Sequence, residues 1–145
     1  MPHASLNGID VYYERFGEGP TLLFVNGSGA SIATSRASLE NYAQHFEVVV
    51  HDQRGLGATE VPSPPYTMSD YASDAVALLD HLDLDRVRVI GASFGGMVAQ
   101  ELAVTHPSGS SAWPCCARRR AGRAARRTPS TSSWCYLRRS AGRRG

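Results

Sequence analysis

The sequence predicts an α/β protein over residues 1–107, with a mostly parallel sheet carrying helices on both faces, followed by an Arg-rich tail at 108–145. Three observations predict it. Short apolar, β-branched runs at 21–25, 48–50 and 87–90 each lead into a loop of small or polar residues and then a helical stretch, the alternation that builds βαβ units and a parallel sheet. The charge changes abruptly: the residues before Pro107 hold 5 Arg, no Lys and 13 Asp or Glu, and those from Pro107 onward hold 10 Arg and no acid. The net charge of +2 therefore conceals two unlike segments. At the same point the hydrophobic periodicity ends, so no face of the tail could be buried.

Each element follows in chain order. The run Leu6-Asn7-Gly8-Ile9-Asp10-Val11-Tyr12-Tyr13-Glu14-Arg15 reads as an opening β-hairpin. The apolar strand Thr21-Leu22-Leu23-Phe24-Val25 runs into Asn26-Gly27-Ser28-Gly29-Ala30-Ser31 before a polar helix. Only small residues let main chain come within hydrogen-bond reach of a substrate oxygen, so this loop can supply a backbone N–H to an oxyanion. A plain β-to-α turn has the same composition. Val48-Val49-Val50-His51 reads as a buried strand ending in the polar, glycine-containing turn Asp52-Gln53-Arg54-Gly55-Leu56-Gly57, and a helix begins near Ser69.

The run Val87-Arg88-Val89-Ile90-Gly91-Ala92-Ser93-Phe94-Gly95-Gly96 carries the most chemistry. A strand breaks at glycines around one serine and restarts as a helix containing Met97, Val98, Leu102 and Val104. This is the setting of a nucleophile elbow, where a tight strand-to-helix turn holds the serine proud of the backbone at positive φ. Gly91 and Gly95 remove side chains that are expected to collide with it, and the helix N-terminus points N–H groups at a developing oxyanion. The rival dinucleotide fingerprint needs a third-position glycine and a later acid. Ser93 occupies that position, and no Asp or Glu follows Glu101.

With these three motifs in this order, the chain resembles the α/β-hydrolase fold family from about Gly8 to Pro107. The resemblance implies the N-terminal half of that family's sheet. It makes Ser93 the nucleophile, with the backbone N–H groups of Phe94 and Ser28 as oxyanion donors. Asn26 stands where the family usually has histidine. Asp52 and Arg54 match a structural turn at the pocket edge, and Asp52 is not assigned as the catalytic acid. Serine at the elbow favours an esterase-, lactonase- or haloperoxidase-like branch over dehalogenases and epoxide hydrolases, which place aspartate there.

The remaining polar residues are assigned blander roles. In these folds serine precedes the acid and histidine along the chain, so His51 is expected to pack or support its turn. His45, His81 and His106 are expected at helix ends or surfaces, and Asp70, Asp74, Asp80, Asp83 and Asp85 on a solvated helix face. No histidine follows His106, so the acid and base of a triad are expected to be missing and the chain inactive. Enzymes of this type need about 200–250 residues to complete their sheet, which leaves the strand at 87–90 with an unpaired edge.

The tail can also be explained as out-of-frame translation of a GC-rich gene, which favours Arg, Ala, Gly, Pro and Ser. With permissible codons from Pro107 onward, reading from the last base of the first codon gives Glu-Arg-Val-Val-Arg-Leu-Ala-Leu-Leu-Cys-Thr-Ser-Pro. That is a helix-end turn followed by an apolar strand. The expected organisation is therefore a partial hydrolase domain at 1–107 and an out-of-frame, disordered segment at 108–145.

The function expected by resemblance is hydrolysis of an ester, lactone or related small acyl substrate. The alternative is a non-catalytic fragment, or a module whose basic tail binds nucleic acid or another anion. No specific nucleic-acid partner, membrane association, cofactor or metal is expected. Cys115, Cys116 and Cys135 fit no metal spacing, and the N-terminus lacks signal-peptide character, so a cytoplasmic location is expected.

Overall fold

A computed structural model describes residues 2–106 and the backbone of the strand Cys135–Arg138. The elements are β1 (His3–Leu6), β2 (Ile9–Phe16), β3 (Thr21–Val25), α1 (Ile32–Ala43), β4 (Glu47–His51), α2 (Met68–His81), β5 (Arg86–Gly91), α3 (Phe94–Thr105) and β6 (Cys135–Arg138). The sheet order is β1-β2-β4-β3-β5-β6.

β1 and β2 form an antiparallel hairpin, and Asn7 and Gly8 both adopt positive φ, of 49° and 81°. Two left-handed residues match the right-handed twist of the flanking strands, which is why Asn-Gly closes this turn. β2 runs antiparallel to β4, while β3 lies parallel to both β4 and β5.

Successive strand residues point to opposite faces, and the core divides accordingly. Leu23, Val25, Val49, Val87 and Val89 face α2 and α3, where they pack with Ala75, Leu78, Leu79, Val98 and Leu102. Leu22, Phe24, Val48 and Val50 face the other way, onto Ile32 and Leu39 of α1. Helices therefore cover both faces, as the unbroken apolar strands require.

The helix starts are specified locally. Ser31 caps α1 in a box with Thr34, and Thr67 caps α2 in a box with Asp70. In each box two otherwise unpaired N–H groups acquire side-chain acceptors.

The expected unpaired edge of β5 is corrected. β6 lies antiparallel along it, with Val87 opposite Leu137 and Val89 opposite Cys135. A central strand presents a row of backbone donors and acceptors to any strand within reach. The rest of the tail expected to be disordered lies outside the described residues.

His51 ends β4 fully enclosed, and burial pushes its imidazole below the ordinary value of 6.5, against the opposing pull of Asp74 and Asp52. The folded chain takes up a proton on this ring less readily than the unfolded chain, which does so below about pH 6.5. His51 thus favours folding above that pH, and its contribution falls as the pH drops toward the depressed folded value. Urea unfolding at pH 7.5 and 5.5 is expected to show a loss of stability that is smaller in His51→Leu, with this one group contributing up to about 1.4 kcal/mol per pH unit.

Candidate active site

The elbow forms where β5 gives way to α3. Ser93 adopts φ 51° and ψ −113°, is exposed, and makes no side-chain capping bond to its helix. The strain of a non-glycine residue in this region is of order 1–3 kcal/mol and must be imposed by its surroundings. Those surroundings are backbone. The Ala92 N–H donates to the Val25 carbonyl at 3.0 Å, and the Gly96 N–H donates to the Ser93 carbonyl at 2.8 Å.

The nearest atoms to the two elbow glycines are backbone. A Cβ on Gly91 would lie 2.2 Å from the Gly95 carbonyl oxygen, and one on Gly95 would lie 2.1 Å from that of Val25 and 2.4 Å from that of Asn26. They let the first turn of α3 press against its own strand and against the end of β3.

This contact carries the Gly27 loop to the serine. A Cβ on Gly27 would meet the Ala92 carbonyl oxygen at 3.1 Å and the Ser93 Cβ at 3.6 Å. The Gly27 carbonyl accepts from the Ala30 N–H at 3.2 Å, closing the turn around Ser28. Phe94 is the first residue of α3, where an N–H has no carbonyl acceptor within its own helix.

Ser28 and Phe94 line one cleft of about 400 Å³ with Arg54, Leu56, Tyr66 and Tyr71 among its walls. Tyr71 meets Phe94 edge to face at 5.1 Å between centroids and Tyr66 at 6.1 Å. Burial raises the Tyr71 phenol above its ordinary value. The structure thus brings Ser28, Ser93 and Phe94 into one neighbourhood at the end of the sheet.

The turn after β4 supports that neighbourhood. Asp52 is buried, and its carboxylate accepts from the Ile32 N–H at 2.6 Å and the Ala58 N–H at 2.9 Å. Ile32 begins α1, so one carboxylate ties the turn to a helix N-terminus, where negative charge is favoured. Gly57, at φ 57°, leaves the space that carboxylate needs: a Cβ there would lie 1.9 Å from an Asp52 oxygen. Gln53, also buried, donates from Nε2 to the Asn26 carbonyl at 2.6 Å.

Arg54 donates from Nε and Nη2 to the Asp74 carboxylate, both at 2.8 Å, and Asn7 Nδ2 donates to the same carboxylate at 3.0 Å. Asp74 is only 1% exposed, which corrects its expected place on a solvated face. Its partner drives the burial, and Asp70 one helical turn earlier lies 4.0 Å from Arg54. The four-residue spacing of Asp70 and Asp74 was the available signal, since residues so spaced share a helix face. His45, His81 and His106 are exposed, as expected.

The alpha/beta hydrolase fold family matches residues 20–111. The chain is 33% identical over 97 residues to a 3-oxoadipate enol-lactonase of Acinetobacter baylyi, covering 66% of this chain and 36% of that protein. It is 30% identical to a putative carbamate hydrolase of Azorhizobium caulinodans, covering 74% of this chain and 40% of that one. The crystal structure of the enol-lactonase from Burkholderia xenovorans superposes with a TM-score of 0.69 at 31% identity, covering 72% of this chain and 42% of that one. The chain thus spans well under half the length of these relatives.

Two substitutions probe the framework. Gly95→Ala is expected to destabilise by at least about 3 kcal/mol, because overpacking against backbone cannot be relieved by a rotamer change; denaturant melts against wild type measure it. Asp74→Ala is expected to lose about 2–3 kcal/mol by taking its carboxylate partner from the half-buried Arg54, whereas the double variant Asp74→Leu/Arg54→Met recovers most of that loss. Equal losses in the single and double variants would refute the pairing as the source.

Proposed function

The chain belongs to the α/β-hydrolase fold family, and from that premise we propose that it derives from a serine hydrolase of esters, lactones or related small acyl substrates. The observation that carries this reading is Ser93 itself, exposed at φ 51° at the head of α3 with no capping bond to occupy its hydroxyl. In the proposed reaction Ser93 Oγ attacks the substrate carbonyl carbon, and the carbonyl oxygen becomes an oxyanion held by the N–H groups of Ser28 and Phe94. Collapse expels the alcohol and leaves an acyl-serine, which water then cleaves. Relatives named for lactone and carbamate hydrolysis support a carbonyl substrate of this class.

The attack also requires a base to take the serine proton and an acid to orient that base. Among the described residues, His51 is buried and both Asp52 and Asp74 are engaged by structural partners, so none is assigned to either role. We assign the missing pair to sequence lost through a frameshift near Pro107, with 1–107 as a partial hydrolase domain and 108–145 as out-of-frame translation. The acid-free, Arg-rich composition and the ordinary protein sequence in the shifted frame support this assignment.

The chain as it stands is expected to hydrolyse p-nitrophenyl acetate no faster than its Ser93→Ala variant. Restoring the frame at Pro107 is expected to supply an apolar strand and, farther on, an Asp or Glu followed by His. That restored protein should hydrolyse the ester, with Ser93→Ala reducing the rate at least about a thousandfold. Ser93-dependent turnover by the present chain would overturn the assignment of the missing pair. A restored frame without acid and histidine in that order would overturn the frameshift reading.

A further inference from the structure

The loop that carries Ser28 leaves β3 at Asn26. The Asn26 side chain is buried, and among the described residues its Nδ2 has no hydrogen-bond partner. Its backbone carbonyl is held instead, by Gln53 Nε2 at 2.6 Å. Gln53 comes from the turn after β4, on a strand adjacent to β3, and is 1% exposed.

We propose that Gln53 is a positioning residue for the oxyanion hole, acting through the Asn26 carbonyl. This rests on the reading of Ser93 and Ser28 given above. The peptide that carries the Asn26 carbonyl also carries the Gly27 N–H, and the planar trans bond points the two in opposite directions. Fixing one fixes the other. The next peptide carries the Gly27 carbonyl and the Ser28 N–H, and Ala30 holds that carbonyl at 3.2 Å. Two consecutive peptide planes are therefore pinned by their oxygens, which leaves the Ser28 N–H a defined direction.

Glycine at 27 makes the first pin necessary. A residue without Cβ rotates its flanking peptides freely, and Gly27 sits against the Ala92 carbonyl and Ser93. The Asn26 oxygen is itself in close approach to Gly95. A rotated Asn26 peptide would thus disturb the contact between loop and elbow as well as the direction of the donor. The bond runs in one sense only, because a carbonyl accepts and cannot donate. Gln53 must present its amide nitrogen, and among the described residues its Oε1 is accordingly left without a partner.

Phenylboronic acid tests the assignment on the full chain, since its addition to serine is an equilibrium that needs no internal base. The Ser93 Oγ lone pair adds to the vacant boron orbital, the hydroxyl proton passes to buffer, and boron becomes a tetrahedral anion whose oxygen occupies the hole. Boron-11 NMR reads the adduct, and the Ser28 amide proton reads the hydrogen bond to it. In wild type the adduct and a downfield Ser28 shift are expected, and Ser93→Ala should abolish both. Gln53→Met is expected to weaken the adduct about tenfold and to lose the Ser28 shift, at a pH where both proteins are folded by circular dichroism. Gln53→Glu keeps the shape but presents an acceptor to an acceptor, and serves as the second variant with the same expected loss.

Equal affinity and an equal Ser28 shift in wild type and the Gln53 variants would overturn the positioning role and leave the Ser93 reading standing. Absence of any Ser93-dependent adduct in wild type would overturn the Ser93 reading instead. The anchor is then decided in the free protein: displaced Gly27 and Ser28 amides with faster hydrogen exchange in Gln53→Met support it, and unchanged amides refute it.

Discussion

The site depends on one steric constraint: backbone must touch backbone where α3 starts. The first turn of α3 lies so close to the ends of β3 and β5 that neither Gly91 nor Gly95 has room for a methyl group. That approach bends the chain sharply between strand and helix and holds Ser93 at positive φ. A serine at that point cannot fold its hydroxyl back as an ordinary helix cap, and the structure gives it none. Geometry that is unfavourable for the residue alone is maintained by the packing of Val98, Ala99 and Leu102 behind it.

The same contact explains why the turn after β4 is rich in buried polar groups. Loops that end parallel strands leave carbonyl and N–H groups facing one another without a ladder to satisfy them. Asp52 satisfies the start of α1, Gln53 the end of β3, and Arg54 reaches through Asp74 to α2 and the first hairpin. Three consecutive side chains thus fasten the sheet end to separate elements. A charge-assisted bond to a helix N-terminus and a bidentate guanidinium pair are directional, so they fix position where apolar packing alone would allow sliding.

Much of this was legible in the sequence because it is written in local signals. The opening hairpin, the unbroken apolar runs and the break from strand to helix at Ser93 are each set by signals within a few residues. Long-range pairing was not legible. Asp74 reads as an ordinary acid on a helix surface until Arg54, twenty positions earlier, is folded against it. The reach of Gln53 to Asn26 spans 27 positions and leaves no periodic trace. The tightest contacts of the elbow glycines were not legible either, since Gly95 stands against the carbonyls of Val25 and Asn26 at the end of β3, some seventy positions earlier.

The strand beside β5 illustrates how differently a fold and a catalytic site constrain a sequence. A sheet edge recruits its neighbour through main-chain N–H and C=O groups that nearly every residue possesses, and antiparallel pairing needs no particular side chain. Cys135–Arg138 can therefore extend the sheet whether or not selection ever placed those residues there. Acid–base chemistry has no such tolerance. It requires an imidazole and a carboxylate at defined distances from one hydroxyl, and no backbone group substitutes for either. A segment of almost any composition can supply a strand, but the acid and base of a triad must be encoded residue by residue.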